Sequence, residues 1–135
     1  MNDLIFETNL GEPYALKLEN NENNTFTIRA ELCDVEIEIG VVKFRVFGEN
    51  CEILTLHTEE FHRGQGVGHV LLCQAEGIAQ MLGAKYVYAD VIPIGVNMKF
   101  INLYFKKHFY ERVPGEESLT KKDLTQHPPL KLTRI

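Results

Sequence analysis

The sequence predicts an α/β domain of the α+β type, built on a mixed, mostly antiparallel sheet of about seven strands with flanking helices. Three observations carry that expectation. Through residue 58 apolar and polar positions alternate with a period of two, the pattern of half-buried strands. From Val67 onward the apolar positions change to the helical period. Between the two halves lies "FHRGQGVGHVLL", residues 61–72, where a strand gives way to a helix through three glycines.

"YALKLE" and "TFTIRAEL" read as strands, and "ENNENN" at 19–24 is the polar tip between them. "VEIEIGVVKFRVF" continues the alternation, with Gly40 marking a bulge. "GEN" at 48–50 is turn chemistry, and "CEILTLHT" is the next strand. Val67, Val70, Leu71, Ala75, Ile78, Ala79 and Leu82 then share one face of a helix of about four turns, closed by Gly83. "AKYVYADVI" reads as a buried strand ended by Pro93 and Gly95. "NMKFINLYFKKHF" returns to helical spacing, with Asn97 as N-cap and Phe100, Leu103 and Tyr104 on one side. "FYERV" and the terminal "PLKLTRI" read as short strands separated by a polar loop.

A chain of 135 residues is the size of one domain and offers no obvious place to divide it. No apolar run approaches the roughly 20 residues that span a bilayer, and "MNDLIFETNLGEPY" lacks the plan of a secretory signal. The expected setting is therefore cytoplasmic, with no membrane partner. A formal net charge of −5 speaks against a nucleic-acid partner, which needs a basic surface. Cys33, Cys51 and Cys73 are odd in number and far apart, with no CxxC and no Cys/His pairing read as being at metal-ligand spacing, so they read as small hydrophobes and no metal is expected.

A strand, a glycine turn and a helix start make an anion site. The first helical N–H groups lack internal partners, the dipole favours negative charge, and glycines let a phosphate reach the backbone. The spacing excludes two familiar nucleotide loops. After Gly66 and Gly68 the GxGxxG fingerprint needs a third glycine where Leu71 stands, and the GxxxxGK[ST] loop lacks both its lysine and its hydroxyl.

What remains, Arg63-Gly64-Gln65-Gly66-Val67-Gly68, fits R/Q-x-x-G-x-G/A and resembles the pyrophosphate loop of the GNAT superfamily of N-acetyltransferases. Asn97 and Tyr104 stand at the spacing of that family's later N-x-x-A-x-x-x-Y motif, and "YFKKHF" is similar to its Y-x-K-x-G-F. Phe100 replaces the common small residue and His108 the common glycine. The likeness runs over roughly residues 51–113. Family members usually carry two helices between their first strands, where this chain reads as strands and loops, so its acceptor half is reduced or rebuilt.

The resemblance implies a parallel, splayed strand pair at the cofactor site, held open with the help of Pro93, and acetyl-coenzyme A as the cofactor, with coenzyme A as product. Backbone N–H groups of Gly64, Gln65, Gly66, Val67, Gly68 and His69 would cradle the pyrophosphate, and Arg63 would add charge. Leu56, His57 and Thr58 would hold the pantetheine arm through their main chains. Asn97 would touch the cofactor from the second motif, and Lys106 and Lys107 are candidates to face the nucleotide phosphates.

Acetyl transfer to an amine needs a base and an acid. A lysine amine is neutral in only about one molecule in 2,500 at pH 7. The resemblance places Tyr104 beside the cofactor sulfur, where a phenol protonated at neutral pH would reprotonate the thiolate. Glu52 is the first choice of base, because some protein-lysine members carry a glutamate at this distance before the loop. His57, Glu59, Glu60, His62 and Asp90 are weaker candidates. The implied activity is N-acetyltransfer to a primary amine by direct attack in a ternary complex. The alternative is a catalytically silent acyl-coenzyme-A sensor or interaction module on the same fold. The acceptor stays open between a protein lysine or N-terminus in an open cleft and a small amine enclosed by a second copy in a homodimer.

Overall fold

In the computed structural model, which describes residues 4–90, 106–116 and 118–130, the period-two pattern becomes five consecutive antiparallel strands. These are β1 (Leu4–Glu7), β2 (Pro13–Asn20), β3 (Thr25–Leu32), β4 (Glu38–Phe47) and β5 (Asn50–Thr58). Along β4, Val42, Phe44 and Val46 point into the core while Lys43, Arg45 and Phe47 point out. The outward face is laced with ion pairs, Lys17–Glu31, Arg29 with Glu19 and Glu38, and Arg45–Glu52. The polar tip at 19–24 forms the β2–β3 turn, where Asn23 and Asn24 take left-handed backbone conformations that asparagine tolerates better than most residues.

The inward face is covered by α1 (Val67–Met81), whose buried Val67, Val70, Leu71, Leu72, Ala75 and Ala79 join Ile28, Ile39, Val42, Phe44, Cys51 and Ile53 in one cluster. A glycine is needed at position 40 for this docking. A Cβ there would lie 2.9 Å from Leu71 Cδ1 and 3.0 Å from Val67 Cγ1, closer than side chains pack. The register shift expected at Gly40 falls one residue earlier, with Ile39 as the extra residue between the Ala30–Gly40 and Glu31–Glu38 pairs.

After α1 the chain enters β6 (Tyr86–Asp90), which lies parallel to β5, and the sheet is completed by β7 (Glu111–Arg112) and β8 (Leu119–Asp123). The strand order is β1-β2-β3-β4-β5-β6-β8-β7, with β5–β6 the single parallel pair among the described residues. That pair is in register from Asn50–Tyr86 to Ile53–Ala89. Beyond it β5 runs on through Leu54–Thr58, paired with β4. Leu54 is the extra residue of a bulge, between the Lys43–Thr55 and Phe44–Ile53 pairs. A bulge bends its strand and increases the local twist, here at Leu54.

One strand was misplaced by pattern. "LTKKD", expected within a polar loop, is β8, while Pro129 and Leu130 of the expected terminal strand lie outside any strand. The reason is Lys122, which points inward and is fully buried. A lysine in an inward position hides the alternation unless its partner is known, and that partner is Glu76 on α1. Among the described residues, no helix is long and apolar enough to cross a membrane.

Candidate active site

The glycine loop is held by a part of the chain that the motif does not include. The β1–β2 turn reaches it through Asn9, whose N–H donates to the Gln65 carbonyl at 3.0 Å and whose Nδ2 donates to the Gly64 carbonyl at 3.4 Å. His62 is clamped between Glu59 at 2.6 Å and Glu12 at 3.5 Å. The imidazole contact, followed by the Phe61 N–H, holds the Glu59 carboxyl below its usual range. Arg63 Nε donates to the Thr58 carbonyl at 3.1 Å, and Gln65 Nε2 to the Phe61 carbonyl at 3.0 Å, so the loop is folded on itself before α1 begins.

Gly66 is the N-cap of α1 with φ +88°, a conformation that disfavours any side chain, and a Cβ would also meet Asn9 Oδ1 at 3.3 Å. A glycine cap supplies no side-chain acceptor. Among the described residues, the backbone N–H groups of Gly64 through His69 meet neither a carbonyl nor a side-chain acceptor; the first N–H of this stretch to do so is that of Val70, on the Gly66 carbonyl at 3.1 Å. Consecutive unpaired amides at a helix start, with no side chain on Gly64, Gly66 or Gly68, fit a pyrophosphate. Leu56, His57 and Thr58 precede this cradle at the end of β5.

Glu52 lies nearer the other end of β5, opposite Tyr88 on β6 and Arg45 on β4. Its carboxylate accepts from Arg45 Nη2 at 3.0 Å on the solvent face. Six residues separate it from Thr58, about 20 Å of extended strand, so Glu52 and the amides stand at opposite ends of one track. Of the weaker base candidates, His57 and Glu60 are exposed, Glu59 and His62 hold each other, and Asp90 accepts from Ser118 Oγ. Asn97, Tyr104 and Pro93 lie outside the described residues. Lys106 and Lys107 are exposed.

Beneath the cradle is a polar interior that the periodicity did not announce. Glu76 of α1 accepts from Lys122 Nζ at 2.6 Å and from the Tyr110 hydroxyl at 2.7 Å, with both ionic side chains fully buried. Burial raises the Glu76 carboxyl, and the ammonium and phenol oppose it. One to two turns toward the cradle, His69 Nδ1 stands 3.0 Å from His108 Nε2, and Cys73 Sγ lies 4.0 Å from His69 Nε2. Burial lowers both imidazoles, His108 to about 4, and pushes the Cys73 thiol up to about 11. His69 and Cys73 are four residues apart on a helix, so they share a face; that spacing was the available signal, although it pointed to no third member.

The model of the acetyltransferase (GNAT) family matches residues 5–109. The chain belongs to the GNAT acetyltransferase family. No curated protein sequence matches it. Among solved structures, this GNAT chain is similar to a mutant of a cAMP-binding acyltransferase from Mycobacterium smegmatis, with TM-score 0.74, 12% identity, and coverage of 94% of this chain and 48% of that one. It is also similar to the GNAT domain of S. lividans PAT, with TM-score 0.71, 14% identity, and coverage of 90% and 97%. A third is the PaiA N-acetyltransferase from Thermoplasma acidophilum in complex with coenzyme A, with TM-score 0.61, 20% identity, and coverage of 74% and 61%. At these identities the likeness is one of fold. The chain spans about half the length of the Mycobacterium protein.

Proposed function

We propose that this GNAT domain transfers an acetyl group from acetyl-coenzyme A to a primary amine. The observation that carries the reading is the run of unpaired amides from Gly64 to His69, set in a glycine loop at the start of α1, one short turn after β5. A pyrophosphate accepted there leaves the pantetheine arm to follow Thr58, His57 and Leu56. The arm then runs toward the Leu54 bulge, and the next residues along β5 are Ile53 and Glu52. Support also comes from a family neighbour in complex with coenzyme A.

Acetyl-coenzyme A supplies the activated acyl group, a thioester. The amine nitrogen attacks the carbonyl carbon, the N–C bond forms and the C–S bond breaks. Glu52, or a water it orders, takes the proton from the amine, and Tyr104 gives its phenolic proton to the departing thiolate. Coenzyme A and an amide leave.

The test is to incubate the protein with acetyl-coenzyme A and a panel of polyamines, aminoglycosides, amino acids and lysine peptides, and to follow thiol release. Turnover with at least one amine, falling by about 10²–10⁴ in Tyr104→Phe, is the expected result for loss of a general acid. Coenzyme A binding without turnover on any acceptor would replace this reading by the acyl-coenzyme-A sensor. Failure to bind coenzyme A at all overturns both.

A further inference from the structure

His69, Cys73 and His108 place one potential ligand atom each within 4.8 Å of one another, in the interior below the amide cradle. Two come from adjacent turns of one face of α1, and the third from the segment before β7. Cys73 and His108 are buried, while His69 is partly exposed and opens the cluster on one side. As core filling this is an expensive choice, because buried imidazoles and thiols must find hydrogen-bond partners that apolar side chains at 69, 73 and 108 would not need. Two neutral imidazoles can share only one proton between the facing nitrogens, and the Cys73 thiol lies 4.0 Å from His69 Nε2.

We propose that His69, Cys73 and His108 form a transition-metal site that takes zinc(II), with two imidazole nitrogens, one thiolate and a fourth position open on the His69 side. The donor set is the one that borderline-soft divalent ions select, and three protein ligands with an open position is an established zinc arrangement. In a tetrahedral site with Zn–N about 2.0–2.1 Å and Zn–S about 2.3 Å, the ligand atoms lie roughly 3.3–3.6 Å apart. The His69–His108 separation of 3.0 Å needs to widen slightly, and Cys73 Sγ needs to close by on the order of 1 Å, within reach of side-chain rotation. The ion replaces the proton between the imidazoles, and the thiol loses its own proton on binding. The Lys122 ammonium nearby is already matched by Glu76, so the thiolate charge is left to the metal. The bound ion would tie α1 to the chain 39 residues further on. The site stands independently of the transferase reading.

The probe is cobalt(II) added to the metal-free full chain, followed by zinc(II). One cobalt per chain, tetrahedral d–d absorption and a thiolate-to-cobalt charge-transfer band are expected, all removed by one equivalent of zinc. Cys73→Ser should abolish the charge-transfer band. His108→Gln should weaken zinc by at least the roughly 10–100-fold that losing even an outer-shell partner costs. Cys33→Ser, which removes the exposed thiol, should change neither. X-ray absorption of the zinc-loaded wild-type protein needs no variant to fold, and should show one sulfur at about 2.3 Å with two imidazole nitrogens at about 2.0–2.1 Å. No uptake of cobalt or zinc, a charge-transfer band that survives in Cys73→Ser, or a zinc shell without sulfur would each overturn the proposal and leave the cluster as a hydrogen-bonded His–His contact.

Discussion

Replacing Lys122 with methionine isolates the one buried ion pair described in the structure. Lys122 and Glu76 are both fully buried, 2.6 Å apart, and the other Glu76 oxygen has the Tyr110 hydroxyl at 2.7 Å. Lys122→Met keeps most of the stem but leaves a carboxylate in the interior with one phenol for company. Breaking such a pair costs about 3–5 kcal/mol. The carboxyl has an escape, because it can take up a proton. From a reference pKa of about 4.3 that costs about 1.36 kcal/mol for each pH unit above it, or about 3.7 kcal/mol at pH 7. The penalty is therefore capped near 4 kcal/mol at pH 7, and it shrinks by about 1.4 kcal/mol per unit as the pH is lowered toward 5. A domain holds roughly 5–15 kcal/mol of stability, so the variant folds and can be measured. Urea unfolding followed by far-UV circular dichroism at pH 8, 7 and 5.5 gives the difference between variant and wild type at each pH. Glu76→Gln combined with Lys122→Met should recover most of the loss, since the charge that needed a partner is gone. A Lys122→Met penalty below about 1 kcal/mol at pH 8, a penalty that does not change with pH, or a double variant no better than the single would each refute the argument that uncompensated charge dominates here.

At the loop, Gly66→Ala must hold a side chain at φ +88° against Asn9, so a loss of about 1–2 kcal/mol and at least a tenfold weaker coenzyme A affinity by calorimetry are expected. Gly77→Ala, in mid-helix with open space for its Cβ, should instead raise the melting temperature, by up to about 1 kcal/mol of added stability. In metal-free protein, His108 titrates at about 4 because of burial, then His69, Lys122 and Lys107. Its lowered value means that it takes nothing from stability above pH 6.5, where folded and unfolded forms are both neutral; as the pH falls from about 6.5 to 4 the unfolded chain binds the proton first and about 3 kcal/mol is lost. His108→Gln should flatten the stability–pH curve in that window, and an unchanged slope there would show that the residue titrates normally. Glu59, whose carboxyl is lowered by His62, acts in a more acidic window: its contribution is present above about pH 4.3 and disappears only as the pH falls below it.

What could be read from the sequence was whatever local chemistry alone determines. Alternation produced β2 through β5, because one face of those strands is solvated and the other covered. The three glycines placed the start of α1 at Val67, because a phosphate cradle must be free of side chains. Reading failed where a residue is set by a distant partner. Lys122 looks like a surface lysine until Glu76, 46 residues earlier, is placed beside it, and β8 was lost with it. His108 stood out only as a departure from the motif's glycine. Its contact with His69 spans 39 residues, a separation that no local pattern reports.

Asn9 is a further case of long-range placement, and it bears on what the rebuilt N-terminal half does. Among the described residues before Glu60 there are only strands and turns, so the helices that usually help form the family's acceptor pocket have no counterpart there. The β1–β2 turn that lies in this half packs on the glycine loop instead. Asn9 supports the Gln65 and Gly64 carbonyls, and Glu12 reaches His62. Asn9 thereby fixes two carbonyls of the stretch whose N–H groups stay unpaired among the described residues. Two hydrogen bonds from Asn9 thus set the loop's orientation before any ligand arrives, which lowers the ordering cost of binding. On the proposed reading, pre-organisation of this kind acts on the cofactor and not on the acceptor. On the proposed reading the reduction in the N-terminal half falls on acceptor enclosure, while the glycine loop keeps a support of its own.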